Sequence, residues 1–68
     1  MPKWEYLWVN EVSGQIKYVN HVEQRDWKRG PRPAEFLNQM GQQGWELVMY
    51  APFAGSAAGI AVLKRQVG

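Results

Sequence analysis

Residues 33–48, PAEFLNQMGQQGWELV, carry the pattern that decides the fold. At about 100° per residue, Pro33, Phe36, Leu37, Met40, Gly41 and Gly44 fall in one arc, and Glu35, Asn38, Gln39, Gln42 and Gln43 fill the opposite one. This is an amphipathic helix of about three turns. Pro33 suits its first position, where a missing N–H loses no partner, and Gly44 suits the left-handed residue that closes it. After Gly44 the period changes from 3.6 to 2, so that Trp45, Leu47, Met49 and Ala51 are expected on one face of a strand and Glu46, Val48 and Tyr50 on the other. The stretch therefore reads as helix, tight reversal and strand, with the helix packed back on a sheet.

Outward from this unit, residues 4–9, WEYLWV, have the length and the aromatic and branched content of a strand, with Trp4, Tyr6 and Trp8 on one side and Glu5, Leu7 and Val9 on the other. Residues 10–15, NEVSGQ, carry the Asn, Ser and Gly of a reversal. Residues 16–22, IKYVNHV, return as an antiparallel partner, with Ile16, Tyr18 and Val22 opposed to Lys17, Val19 and His21. Residues 23–32 follow neither period, and Gly30, Pro31 and Pro33 mark them as a loop feeding the helix. Pro52 ends or bends the strand after the helix, 53–59 is a connection of small residues, and 59–65, GIAVLKR, reads as the closing strand. The expectation is a small α+β domain of ββαββ order, with one helix packed on an antiparallel sheet in a single domain spanning 1–68.

A domain of 68 residues buries only about 60% of the surface that its unfolded chain exposes. Without cysteine there are no disulfides or thiolate metal sites, and His21 alone does not make a zinc site. No metal or cofactor is expected. One helix covers one face of a sheet, yet most strands carry apolar side chains on both faces. An uncovered face bearing Trp4, Tyr6 and Trp8 exceeds the apolar patch of an ordinary monomer, so a homodimer or larger assembly through these residues is expected. The other arrangement is the aromatic triplet lying beneath the helix, with Leu7 and Val9 part-exposed.

The formal net charge is +2, from eight basic and six acidic residues. Arg25, Asp26, Lys28, Arg29 and Arg32 together carry +3 of it, leaving −1 for the remainder. Arg25, Trp27, Lys28, Arg29 and Arg32 thus form one basic segment holding an aromatic ring, and it runs into the helix start. Arginine forks pair with phosphate, a tryptophan ring stacks on a base, and a helix N-terminus favours an anion, so a nucleotide or nucleic acid is the candidate ligand. The plainer account is a solvated basic loop with Trp27 folded onto the domain.

For catalysis the chain offers one histidine, two serines, no threonine and six scattered carboxylates. Glu5 and Glu46 can meet across strands, but ion pairs with Lys17, Lys64 or Arg65 are the expected outcome. Residues 55–59, GSAAG, lack the lysine and following helix of a phosphate-cradling loop. A non-enzymatic binding module is expected, an oligomer interface being the one place where a catalytic site could assemble. Gly41 is expected where the helix approaches the sheet closely, and the uncharged outer helix face of Asn38, Gln39, Gln42 and Gln43 is a further contact surface. The uncharged stretch 50–63 is too short for the roughly 20 apolar residues of a membrane span and is broken by Pro52, Gly55 and Gly59. No secretory signal pattern opens the chain, so the cytoplasm is the expected compartment.

The combination of Trp4-Glu5-Tyr6, Leu37-Asn38 with Gly41, Gly44-Trp45-Glu46-Leu47-Val48 and Lys64-Arg65 resembles the domain of unknown function 4177 family, small proteins of bacteria and their phages. The resemblance spans nearly the whole chain, and the LNxxGxxGWELV run is its specific part. It implies a small α+β domain and no particular activity. Leu63 stands where an aromatic commonly precedes the final Lys-Arg, and the segment 25–32 has no counterpart in the family pattern. That segment is where a function particular to this chain is expected.

Overall fold

The structure, a computed structural model, describes residues 2–52 and 58–67. It has the elements β1 (Trp4–Val12), β2 (Gln15–Val19), β3 (Val22–Glu23), α1 (Pro33–Gln42), β4 (Glu46–Pro52) and β5 (Ala58–Gln66). The strands form one antiparallel sheet of order β3-β2-β1-β5-β4, with α1 on one side. This is the expected α+β domain with one more strand than expected.

The extra strand arises in the expected return over 16–22. Asn20 and His21 take φ values of 51° and 68°, a two-residue turn that folds the chain back as β3. Such turns match the right-handed twist of the strands that they join. The turn is anchored on β1: the Asn20 N–H donates to the Trp8 carbonyl at 2.7 Å, and the Trp8 N–H donates to Asn20 Oδ1 at 3.0 Å. His21 is therefore a turn residue and not a strand residue. The first reversal is also tighter than expected. β1 runs on to Val12, and Ser13 and Gly14, with φ of 54° and 78°, make the turn alone.

β1 and β5 pair without interruption from Trp4 opposite Gln66 to Val12 opposite Ala58. Directly paired residues share a sheet face. Leu7 and Val9 accordingly lie with Leu63 and Ala61 on the helix side, where Ile16 and Phe36 complete the buried core and Val19, Leu37, Met40 and Trp45 pack around it. The aromatic triplet falls on the other face.

Two irregularities revise the expected faces. In β2 the register shifts between Asn10 and Glu11 on its partner, so that Ile16 and Val19 both turn to the helix side while Tyr18, opposite Asn10, faces away. In β4 a shift between Leu47 and Met49 leaves Val48 unpaired. Leu47 then sits opposite Leu63 and Met49 opposite Val62, on opposite faces, where strict alternation had placed them together. Beyond this bulge Tyr50 lies opposite Ala61, and its hydroxyl donates to the Glu11 carboxylate. That hydrogen bond is the main reason why the Tyr50 phenol titrates above its ordinary range, with desolvation and the Glu11 charge acting in the same direction.

The helix ends as its sequence anticipates. Gly44 has a φ of 92°, its N–H bonds the Gly41 carbonyl at 3.1 Å, and the Trp45 N–H reaches back to the Met40 carbonyl at 3.0 Å. These two bonds make the Schellman closure. Arg65 secures the same corner. Its Nε donates to Glu5 Oε1 at 2.7 Å, its guanidinium lies 4.4 Å from the Trp45 ring centre, and its Nη1 reaches the Gln43 carbonyl at 3.4 Å. A cation beside the last carbonyls of a helix is favoured by the helix dipole.

Gly41 departs from expectation. A methyl group added there would meet nothing within 4 Å, so no close approach to the sheet requires glycine. Gly41→Ala should therefore stabilise the domain by up to about 1 kcal/mol through helix propensity alone. Gly44→Val should destabilise it strongly, because a β-branched residue does not tolerate positive φ. Thermal melts of the two variants should move in opposite directions; shifts of the same sign would contradict this account of the helix end.

Candidate functional site

Two surfaces stand out, and the first is the uncovered sheet face. Residues 4, 6, 8, 10 and 12 of β1 point away from the helix because their neighbours point toward it. Trp4, Tyr6 and Trp8 remain 43%, 55% and 41% exposed on that face, whereas Val62, opposite Trp8 and Met49, is buried between them. The Lys64 ammonium lies 4.6 Å from the Trp4 ring centre, a cation–π contact that the sequence reading did not anticipate. The Trp8 ring lies 5.9 Å from that of His21. Past Trp8 the side chains become smaller, and the face sinks into a hollow of about 350 Å³ lined by Asn10, Glu11 and Val12 of β1, Ala58 and Gly59 of β5, and Tyr18 and His21. The face thus has an aromatic ridge at one end of β1 and a hollow at the other. The strand periodicity carried the ridge. The hollow needed β1 to extend to Val12 and His21 to sit in a turn, and neither was anticipated.

The second surface is the basic segment. It runs beside the edge of β2, tied at both ends: the Gln24 N–H donates to the Lys17 carbonyl and the Ile16 N–H donates to the Pro31 carbonyl, each at 2.8 Å. Between these ties Gly30 presses against β2, where a Cβ would collide with the Ile16 carbonyl oxygen. The five candidate residues are not brought to one point. Arg25 Nε is held by Glu23 Oε2 at 2.9 Å, and Lys17 lies 3.8 Å from the other Glu23 oxygen. Trp27 and Lys28 line a groove of about 240 Å³ with Gln15, Lys17 and Gln24. Arg29 and Arg32 border a wider one of about 690 Å³ between the β1–β2 turn and Ala34 at the helix start. The two grooves adjoin at Ser13, Gln15 and Gly30.

Among the described residues, no carboxylate pairs with Lys28, Arg29 or Arg32. No side chain caps α1, so the Ala34 and Glu35 N–H groups, which no carbonyl of the helix can reach, lie uncapped beside Arg32. Glu35 in the same first turn offsets part of this positive field.

Glu5 bonds Arg65 on the helix side, while Glu46 sits opposite Lys64 on the open face, so the two carboxylates are on different sides of the sheet. No group of three or more His, Asp or Glu side chains that could hold a metal ion occurs among the described residues. No helix among them is long and apolar enough to cross a membrane. The glycine- and serine-rich stretch 55–59 lies mostly outside the described residues.

Architecture and surfaces together define a small α+β domain whose sheet is covered on one side and presents aromatic side chains on the other. Comparison of the chain with protein-family models, curated proteins and solved structures returns no match in any of the three.

The close approach at Gly30 makes a testable statement about the basic segment. Gly30→Ala should lower stability by about 1–3 kcal/mol, the usual cost of overpacking. It should also speed hydrogen exchange at the Ile16 amide, whose bond to Pro31 depends on that approach. Unchanged exchange at Ile16 would show that the segment is not held against β2.

Proposed function

We propose that this protein is a non-enzymatic, self-associating binding module that pairs with a second copy through the uncovered sheet face. The observation that carries this reading is the exposure of Trp4, Tyr6 and Trp8 side by side on a face that no element among the described residues covers. An aromatic side chain offers about 150–250 Å², so the triplet alone presents roughly 300 Å² at these exposures. With Val12, Tyr18, Met49 and Ile60 the apolar area approaches roughly 500 Å², and two copies would bury on the order of 1,000 Å², the lower bound that a biological interface has to clear. Tryptophan, tyrosine and methionine are also the residues enriched at the centres of such interfaces. The cytoplasm is the compartment that we assign, and membership of the bacterial and phage domain of unknown function 4177 family is our reading of the motif residues quoted above.

Light scattering at micromolar concentration should report a dimer of twice 7.8 kDa, about 16 kDa, or a larger assembly. Trp8→Ser or Tyr6→Ser should dissociate or unfold it. A mass of 7.8 kDa at high concentration would overturn the proposal.

A second reading rests on a separate observation: Lys28, Arg29 and Arg32 have no carboxylate partner among the described residues, and Arg29 and Arg32 lie around an uncapped helix start. In this reading the module also binds a phosphate-bearing ligand, with phosphate at Arg29 and Arg32 and a base against Trp27 in the adjoining groove. Neutralising Lys28, Arg29 and Arg32 together should abolish salt-sensitive binding of nucleotides or single-stranded DNA and RNA while leaving the fold intact, because exposed charges contribute little to stability. Trp27→Ala should weaken a base-containing ligand by about 1–3 kcal/mol and leave inorganic phosphate unaffected. Unchanged affinity of the triple variant would place the site elsewhere.

A further inference from the structure

The open face is uneven along β1: Trp4, Tyr6 and Trp8 stand above it, and the hollow bounded by Asn10, Val12 and Ala58 lies beyond them. Two sheets packed face to face sit about 10 Å apart with interdigitating side chains. Packing with the strands of the two sheets aligned leaves two two-fold arrangements to compare. An axis parallel to the strands sets the ridge of one copy on the ridge of the other, three large rings against three. That either pushes the sheets apart or leaves both hollows empty, and unfilled space forfeits the contacts that stabilise an interface. An axis in the plane of the sheets but perpendicular to the strands reverses β1 end for end.

We infer that the second arrangement is the one used, with the hollow at Asn10, Val12, Tyr18, His21 and Ala58 acting as the socket for the aromatic ridge of a second copy. This rests on the self-association reading above and adds its geometry. With the axis crossing β1 near Trp8, reversal sets Tyr6 of one copy over Asn10 of the other and Trp4 over Val12, large against small at each step. The two Trp8 rings meet at the axis. The hollow suits such an occupant. It has apolar walls at Val12 and Ala58, and Asn10, Tyr18 and His21 place polar groups at its border, where a phenol O–H or indole N–H seeks a partner once removed from water. Because the interface is two-fold, each copy contributes one ridge and one socket.

The test is complementation between two damaged copies. Trp4→Ser removes the ring that would sit over Val12 and Ala58 and keeps the socket; Ala58→Phe fills the socket and keeps the ridge. Each variant alone should dimerise at least tenfold more weakly than the wild-type chain. Mixed, they should form a heterodimer that binds more tightly than either homodimer, since the intact ridge of one enters the intact socket of the other and the second contact pairs a shortened ridge with a filled socket. Native mass spectrometry distinguishes the three dimers by mass. Circular dichroism melts check that both variants fold, and Val12→Trp, which fills the same hollow, replaces Ala58→Phe if the latter does not. A wild-type dimer that Ala58→Phe and Val12→Trp leave unweakened would overturn the socket and leave association through the face standing. A monomeric wild-type chain would overturn both.

Discussion

One helix of ten residues has to serve a sheet of five strands, and most of the structure follows from that mismatch. The uninterrupted pairing of β1 with β5 sorts their side chains strictly by parity. Leu7, Val9, Ala61 and Leu63 meet the helix, and Trp4, Tyr6 and Trp8 are sent to the opposite side. The core that results is small and aliphatic, with Phe36 as its one buried aromatic among the described residues. Three of the largest side chains, Trp4, Tyr6 and Trp8, are thus excluded from the core of the monomer. In a domain too small to bury much of its surface, this distribution makes the second face an energetic opportunity for association.

The sheet edges bear on how such association proceeds. An exposed strand edge invites pairing with another chain, and proteins blunt edges with short strands, bulges and proline. All three devices are present. β3 is two residues long, β4 is bulged at Val48, and β4 ends in Pro52, which has no N–H to offer. They act against extension of the sheet from chain to chain and favour closed, face-to-face contact. The groove bordered by Arg29 and Arg32 shares no lining residue with the hollow of the open face. The groove beside Trp27 meets that hollow at Val12, so the surfaces for self-association and for anion binding adjoin there, and neither reading requires the other.

The basic segment shows how a loop of uniform composition is divided by backbone contacts. Gly30 has to lie against the Ile16 carbonyl, and this single approach separates Trp27 and Lys28 on one side from Arg29 and Arg32 on the other. Arg25 is removed from the set by Glu23, a residue that pairs with Tyr18 at the end of the sheet. Charge alone did not distinguish these five residues. Their positions relative to the edge of β2 did.

What the chain's own sequence determined is what short-range physics encodes. The helix from Pro33, its closure at Gly44 and the opposed faces of β1 and β5 all rest on local periodicity and on residues with special backbone freedom. The turn at Asn20 and His21 and the bulges in β2 and β4 were decided only by the tertiary structure. Two non-glycine residues adopt positive φ when Trp8 supplies backbone partners for Asn20, and a bulge places its extra residue according to the strand beside it. The choice of face was likewise tertiary. Either side of β1 is apolar enough to lie under a helix, and Leu7 and Val9 occupy that place because Ile16, Phe36, Ala61 and Leu63 pack against them, which leaves the aromatic ridge outside. The role of Gly41 was misjudged for a related reason: its position on the apolar arc is local information, but the open space beside it depends on where the sheet lies.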